Sequence, residues 1–336
     1  MTTGTESAPP EGRPAAAASR TDSAGQVDET DIEWSEAPYI IGSGMCMGTA
    51  DVVPGVSGGT MAVALGIYGK LLAAITSVNV DAVRALLRFD LKQVFKLLHW
   101  RFMLCLGGGV FLAFAIMIKI VKLPHLLETH PKQVYAVFFG LVLSSALILA
   151  KRLPNWDAGR VASLVLGVGI GWGVVNLVPV ETPEHPAFIF LCGFVAISAM
   201  LLPGISGSFI LLILGKYAFI FGNLTKVGVV VPFALGCGAG LVVFSRFLKW
   251  LLTRWHDPVV AGLVGLLIGS LWRIWPYQHT KTVIVREKPR VLEAVPYWPD
   301  SLELGVLGLF ILGLLAVLAV EWLATRRTLR AGSGVS

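Results

Sequence analysis

Long apolar runs alternate with short polar ones from about residue 38 to residue 325, and this pattern predicts membrane-spanning helices. Runs long enough to cross a bilayer occupy about 102–121, 133–150, 160–180, 226–251, 258–275 and 303–324. Two further stretches, Tyr39–Val53 and Ala187–Leu202, are each about 15 residues, or roughly 23 Å as helix at 1.5 Å per residue. Each is cut by a Pro-Gly turn and followed by a second apolar run, Thr60–Val78 and Phe209–Phe221. Two partial helices joined by a Gly-rich break read as a re-entrant hairpin, tolerated at membrane depth where protein or a wet cavity covers the backbone. Residues 80–98 differ in kind. Arg84, Arg88, Lys92 and Lys96 recur every four residues beside Val83, Leu87, Leu91, Val94 and Leu98, which predicts a basic helix lying on the anionic inner leaflet or covering its own protein.

The turns carry the strongest internal signal. Pro54, Gly55, Ser57, Gly58, Leu65, Gly66 and Tyr68 recur, 149 residues later, as Pro203, Gly204, Ser206, Gly207, Leu214, Gly215 and Tyr217. Self-similarity of this kind marks a duplicated unit. Downstream, Gly140-Leu-Val-Leu-Ser-Ser145 resembles Gly265-Leu-Leu-Ile-Gly-Ser270. The expected organisation is an all-α, polytopic membrane protein with a disordered acidic tail over 1–36. A first repeat covers 37–180 (hairpin 39–78, basic helix 80–98, three spans) and a second covers 187–325 (hairpin 187–221, three spans, an outside loop at 277–302). A cytoplasmic tail, 326–336, ends the chain. Three full spans per unit is an odd number, so the repeats are expected to be inverted, the architecture of alternating-access transporters.

Composition agrees and excludes alternatives. Apolar residues make up 55% and charged residues 14% of the 336, far below the charge of a soluble domain. Residues 1–36 hold two basic and eight acidic residues, leaving 25 and 13 to the rest, a net of +12. The basic residues flank apolar segments instead of forming one patch, so anionic lipid is the expected contact and nucleic acid is not. Lys and Arg at 84–101, 151–160, Lys249, Arg254 and 326–330 place those segments, and both termini, on the cytoplasmic side. Cys46, Cys105, Cys192 and Cys237 sit inside apolar stretches without a C-x-x-C pair, so neither a metal site nor a disulfide framework is expected. No cofactor motif is present.

The turns also carry the candidate chemistry. Proline ends the preceding helix, glycines allow the tight backbone, and Ser57 or Ser206 can cap the helix that follows. Backbone N–H groups then converge on one space, an arrangement suited to phosphate. The bland reading is that the glycines only let the hairpins fold. The substrate-binding candidates are Pro54, Gly55, Val56, Ser57, Gly58, Gly59, Thr60, Pro203, Gly204, Ile205, Ser206, Gly207 and Ser208. Arg246 joins them as a bidentate phosphate partner, or else snorkels to the interface with Lys249. Asp51, opposite Met200 in the second repeat, either carries a coupling proton or sodium ion or caps backbone amides. No catalytic residue is expected. His99, His125, His130, His185, His256 and His279 lie near segment ends or in loops, away from both serine turns.

Met47-Gly-Thr-Ala-Asp-Val-Val-Pro-Gly-Val-Ser-Gly-Gly-Thr60, Gly66-Ile-Tyr68 and Leu202-Pro-Gly-Ile-Ser-Gly-Ser208 together resemble the DUF368 family of bacterial membrane proteins. The resemblance runs from about 38 to 325. It implies a bacterial inner-membrane flippase that returns undecaprenyl or another polyprenyl phosphate, the lipid carrier of peptidoglycan and other envelope glycans, from the outer to the inner leaflet. The residues alone reach an anion-handling transporter, and a small-anion channel or exchanger remains the alternative. One departure stands out: Gly69 and Ala218 follow the two tyrosines, where the family pattern often has an acid.

Overall fold

The computed structural model describes residues 31–53, 55–177, 182–285, 288–301 and 303–332. The 1–36 tail is therefore almost wholly outside the described residues.

The first unit opens with α1 (Ala37–Val52), α2 (Gly58–Ala64) and α3 (Tyr68–Ser77), followed by the short α4 (Val80–Leu87) and α5 (Leu91–Leu97). Next come α6 (Trp100–Ala115), which runs on through a π turn to Ile120, then α7 (Leu123–Thr129), α8 (Pro131–Lys151) and α9 (Ala158–Val175). The second unit has α10 (Pro186–Leu201), α11 (Gly207–Ile213), α12 (Tyr217–Gly222), α13 (Val227–Arg254) and α14 (His256–Ser270), which tightens into a 3-10 turn at Leu271–Ile274. A two-stranded antiparallel hairpin, β1 (Gln278–Val285) and β2 (Lys288–Pro296), precedes the last helix, α15 (Leu304–Gly332). Five described helices are long and apolar enough to cross a membrane: Trp100–Ile120, α8, α9, α13 and His256–Ile274. The fold is an all-α polytopic membrane architecture with one small β-hairpin.

The spacing of 149 residues seen in the turns extends to the elements. α1, α2 and the start of α3 match α10, α11 and the start of α12 boundary for boundary. Backbone geometry matches too. Gly55 and Gly204 have φ of +88° and +89°, and Gly66 and Gly215 have +68° and +63°. A side chain is strained in that region, so glycine is required there.

Packing repeats the theme. In lipid, helices associate by close van der Waals fit, which favours small residues at their crossings. α1 lies on α6 with Gly44 against the Leu106 carbonyl and Gly109 against that of Ile41, and α10 lies on α13 with Gly193 against Phe233 and Gly236 against Phe190. A Cβ at any of the four would stand 2.0–2.4 Å from those oxygens. The remaining spans exchange partners between units: α8 packs on α15 through Gly140 and Gly313, and α9 on α14 through Gly167 and Gly265. Gly140 and Gly265, equated above by sequence, therefore sit at equivalent crossings.

Three expectations change. The second limb of each hairpin is not one helix: Gly66 and Gly215 break it, and α2 and α3 meet at 120°. The basic helix expected over 80–98 is two helices, because Phe89 turns left-handed (φ +56°) and Asp90 starts α5 by accepting the Gln93 N–H at 3.1 Å. Leu91, assigned to the apolar stripe, is exposed. The stretch expected as a loop at 277–302 holds the β-hairpin, its base pinned where the Trp275 indole donates to the Tyr297 carbonyl at 3.0 Å.

Candidate functional site

The two turns meet inside the protein. Thr60, fully buried, accepts the Gly204 N–H on its Oγ1 at 2.9 Å, so a side chain of the first turn holds the backbone of the second. Tyr68 reinforces the contact by donating to the Leu201 carbonyl at 2.7 Å. A Cβ on Gly59 would stand 3.1 Å from the Met200 carbonyl oxygen, so α2 abuts the end of α10 directly.

Around the first turn, Pro54 lies outside the described residues. Val56 is buried and donates its N–H to the Val53 carbonyl at 3.1 Å. Ser57 adopts the extended cap conformation (φ −119°, ψ 131°) and its Oγ accepts the Gly59 N–H at 3.2 Å. The Ser57 carbonyl accepts the Thr60 N–H at 2.9 Å. The Gly58 N–H goes to Asp51 Oδ1 at 2.7 Å. The Gly58, Gly59 and Thr60 amides of the first turn of α2 are thus all satisfied by the chain itself, with Asp51 supplying the carboxylate acceptor. That carboxylate presses so closely that a Cβ on Gly58 would stand 2.5 Å from Oδ2.

The second turn has the same backbone and different partners. Pro203, Gly204 and Ile205 are buried, and the Ile205 N–H reaches the Leu202 carbonyl only at 3.4 Å. Ser206 caps α11 in the extended conformation (φ −93°, ψ 129°), yet its hydroxyl accepts no backbone N–H. It pairs instead with Ser208 Oγ at 2.9 Å. Among the described residues the N–H groups of Gly207, Ser208 and Phe209 meet no acceptor. Met200 stands where the first unit has Asp51, and a Cβ on Gly207 would stand 3.3 Å from the Met200 Cβ.

A cation lies where the turns converge. A Cβ on Gly55 would sit 3.0 Å from Arg273 Cγ, and the Arg273 Cζ lies 4.9 Å from the Phe209 ring centroid. Arg273 therefore touches the first turn and the first helical turn of α11 at once. Phe209 and Tyr135 are its neighbours, and among the described residues its guanidinium has no hydrogen-bond acceptor or carboxylate. Arg273 is not among the substrate-binding residues expected from the sequence. Its place three residues beyond Ser270, where the segment matched to 140–145 ends, was the available signal.

Arg246 is engaged elsewhere. Its Nη1 donates to the Val242 carbonyl at 2.8 Å and its Nη2 to the Val78 carbonyl at 2.9 Å, at the end of α3. It lines a polar cavity of about 440 Å3 with Asn79, His99 and Lys249. The structure therefore brings the two turns and Arg273 together, and places Arg246 at a separate cavity. Among the described residues no cluster of His, Cys, Asp or Glu could hold a metal ion.

Comparison with known proteins narrows what such an arrangement belongs to. The chain is 38% identical over 239 residues to a polyprenyl-phosphate transporter of Vibrio cholerae, covering 70% of this chain and 77% of that protein. It is 29% identical over 265 residues to a polyprenyl-phosphate transporter of Staphylococcus aureus, covering 72% of this chain and 87% of the relative. No solved structure matches it. The pattern of the VCA0040-like, undecaprenyl phosphate translocase-like proteins matches residues 47–291, nearly three quarters of the length. The chain belongs to the undecaprenyl phosphate translocase-like family.

Proposed function

We propose that this protein is a membrane transporter of polyprenyl phosphate. It acts as a flippase that returns undecaprenyl phosphate from the outer to the inner leaflet of a bacterial inner membrane, with both termini cytoplasmic. It moves the lipid without chemical change, so it is a transporter and not an enzyme. The observation that carries the reading is the open second turn: three amides without an acceptor among the described residues, held against the first turn by the Thr60–Gly204 bond, with Arg273 alongside. Helices of seven residues add little macrodipole. The attraction for phosphate therefore comes from discrete N–H donors, the Ser206 and Ser208 hydroxyls, and the full charge of Arg273.

Asp51 is the coupling candidate. Its carboxylate competes with phosphate for the Gly58 N–H. A proton or sodium ion arriving at Asp51 neutralises that competitor and releases the amide for the headgroup. Alternating access then passes the phosphate between two turns of inverted units while the prenyl tail stays in lipid. Names of the relatives, the family and the paired turns support this reading.

Proteoliposomes test it. Labelled undecaprenyl phosphate placed in one leaflet is expected to exchange faster with the protein than without it. Isotope flux of a small anion without leaflet exchange of the lipid would replace this reading with that of an anion channel or exchanger.

A further inference from the structure

The 3-10 turn Leu271–Ile274 has two working faces. Successive residues of a 3-10 helix project about 120° apart, so Trp272 and Arg273 necessarily point to neighbouring sides. Arg273 faces Gly55 and Phe209. Trp272 faces a cavity of about 280 Å3 whose walls are Phe139, Trp172, Trp275, Tyr297 and Trp298, drawn from α8, α9 and the base of the β-hairpin. The walls are apolar in practice. The indole N–H of Trp275 is already used on the Tyr297 carbonyl, and Trp275 stacks edge-on with Phe139 at 5.3 Å and with Trp298 at 5.0 Å. Trp172, Trp272 and Trp298 are 55%, 40% and 79% exposed, so the groove is open for an occupant.

We propose that this aromatic groove holds the first isoprene units of the polyprenyl phosphate while Arg273 contacts its phosphate. This rests on the proposed function and adds to it where the tail leaves the headgroup. Three features of the groove favour this occupant. The adjoining cation has no carboxylate among the described residues, so the complementary ligand is anionic at one end. The walls are flat aromatic faces, which suit the planar, methyl-bearing double bonds of an isoprenoid. The volume, about 280 Å3, suits the first units of a single chain better than the two chains of a diacyl lipid. The aromatic walls then select the isoprenoid tail, and Arg273 selects the charged head.

The test uses full-length protein in detergent and farnesyl phosphate carrying a diazirine on its second isoprene unit. Crosslinks are expected on the segments bearing Phe139, Trp172, Trp272, Trp275 or Trp298, with saturable quenching of tryptophan fluorescence. Arg273→Gln should weaken farnesyl phosphate binding roughly tenfold or more, the scale of one charge-assisted contact, and leave farnesol binding unchanged. Arg273→Lys should fall between them, and Trp298→Ala should weaken both ligands. Crosslinks confined to other segments, or unchanged farnesyl phosphate binding in Arg273→Gln, would overturn the inference. So would displacement by dioleoyl phosphatidic acid at equal concentration, which would make the groove a site for any anionic lipid. Displacement by inorganic phosphate at equal concentration would leave the aromatic half without a role and overturn it too. Leaflet exchange by the wild type separates the two levels: if exchange occurs and the groove stays unlabelled, this inference fails and the transporter reading stands.

Discussion

The two Pro-Gly-x-Ser-Gly turns share a backbone and differ in what fills them. Gly55 and Gly204 have φ within one degree of each other, and Ser57 and Ser206 hold the same extended cap position. In the first turn Asp51 accepts the Gly58 N–H and Ser57 accepts that of Gly59. In the second turn Met200 replaces the carboxylate, and the two serines bond to each other. The backbone conformation is the same in both turns, while Asp51 against Met200, and Gly59 against Ser208 with the serine pair it forms, separate a turn whose amides are satisfied from one whose amides are not. The fold therefore fixes where amides converge, and neighbouring side chains decide whether those amides are already bonded within the chain.

The largest expected effect separates the turns by what a new Cβ would strike. Gly207→Leu drives its side chain into the Ala196 carbonyl, 2.7 Å from where the Cβ must stand. That obstacle is backbone and cannot rotate away, so leaflet exchange should fall to background while membrane insertion persists. Gly58→Ala meets a side chain instead, Asp51 Oδ2 at 2.5 Å. Its defect should be partly suppressed by Asp51→Ala, whereas Gly207→Ala has no equivalent suppressor. Equal exchange by wild type, Gly58→Leu and Gly207→Leu would make both turns purely structural.

A transplant comes next in size. Met200→Asp places a carboxylate where the second turn lacks one and should close it as Asp51 closes the first. We expect exchange to drop about tenfold, on the scale of one charge-assisted hydrogen bond lost to the competitor, with Met200→Leu near wild type. Asp51→Asn is expected to act several-fold and in a different way. The amide oxygen can still accept from Gly58, but the site no longer exchanges charge, so the rate should lose its dependence on pH or on sodium. A pH and sodium profile identical to wild type would remove Asp51 from coupling.

How far these features were legible depends on the range of the contacts behind them. Spans and turns were readable because apolar length and Pro-Gly punctuation act locally. The break at Phe89 was not, since no glycine or proline marks it and an aromatic residue rarely turns left-handed. Gly66 and Gly215 were visible as part of the repeat, but the apolar runs around them read as continuous helix. The β-hairpin at 278–296 was hidden by its Lys and Arg content. The hold of Thr60 on Gly204 joins residues 144 apart, and Arg273 reaches Gly55 across a still longer stretch of chain. No periodicity encodes such pairings. Arg246 shows the converse: its residue type fitted phosphate, but its place beside Val78 committed it to carbonyls.

The smallest effect tests the contact that joins the turns. Thr60→Val keeps the shape of the side chain and removes the hydroxyl that accepts the Gly204 N–H, leaving a buried donor without a partner. The expected cost is about 1–3 kcal/mol, read as a fall in Tm of the purified protein. Thr60→Ser should restore it. Transport should change less than in Gly207→Leu, Met200→Asp or Asp51→Asn, because the amides of Gly207, Ser208 and Phe209 keep their positions in α11. If Thr60→Val instead abolishes exchange at unchanged Tm, the bond is part of the transport cycle, and the open and closed turns are then two states of one coupled pair.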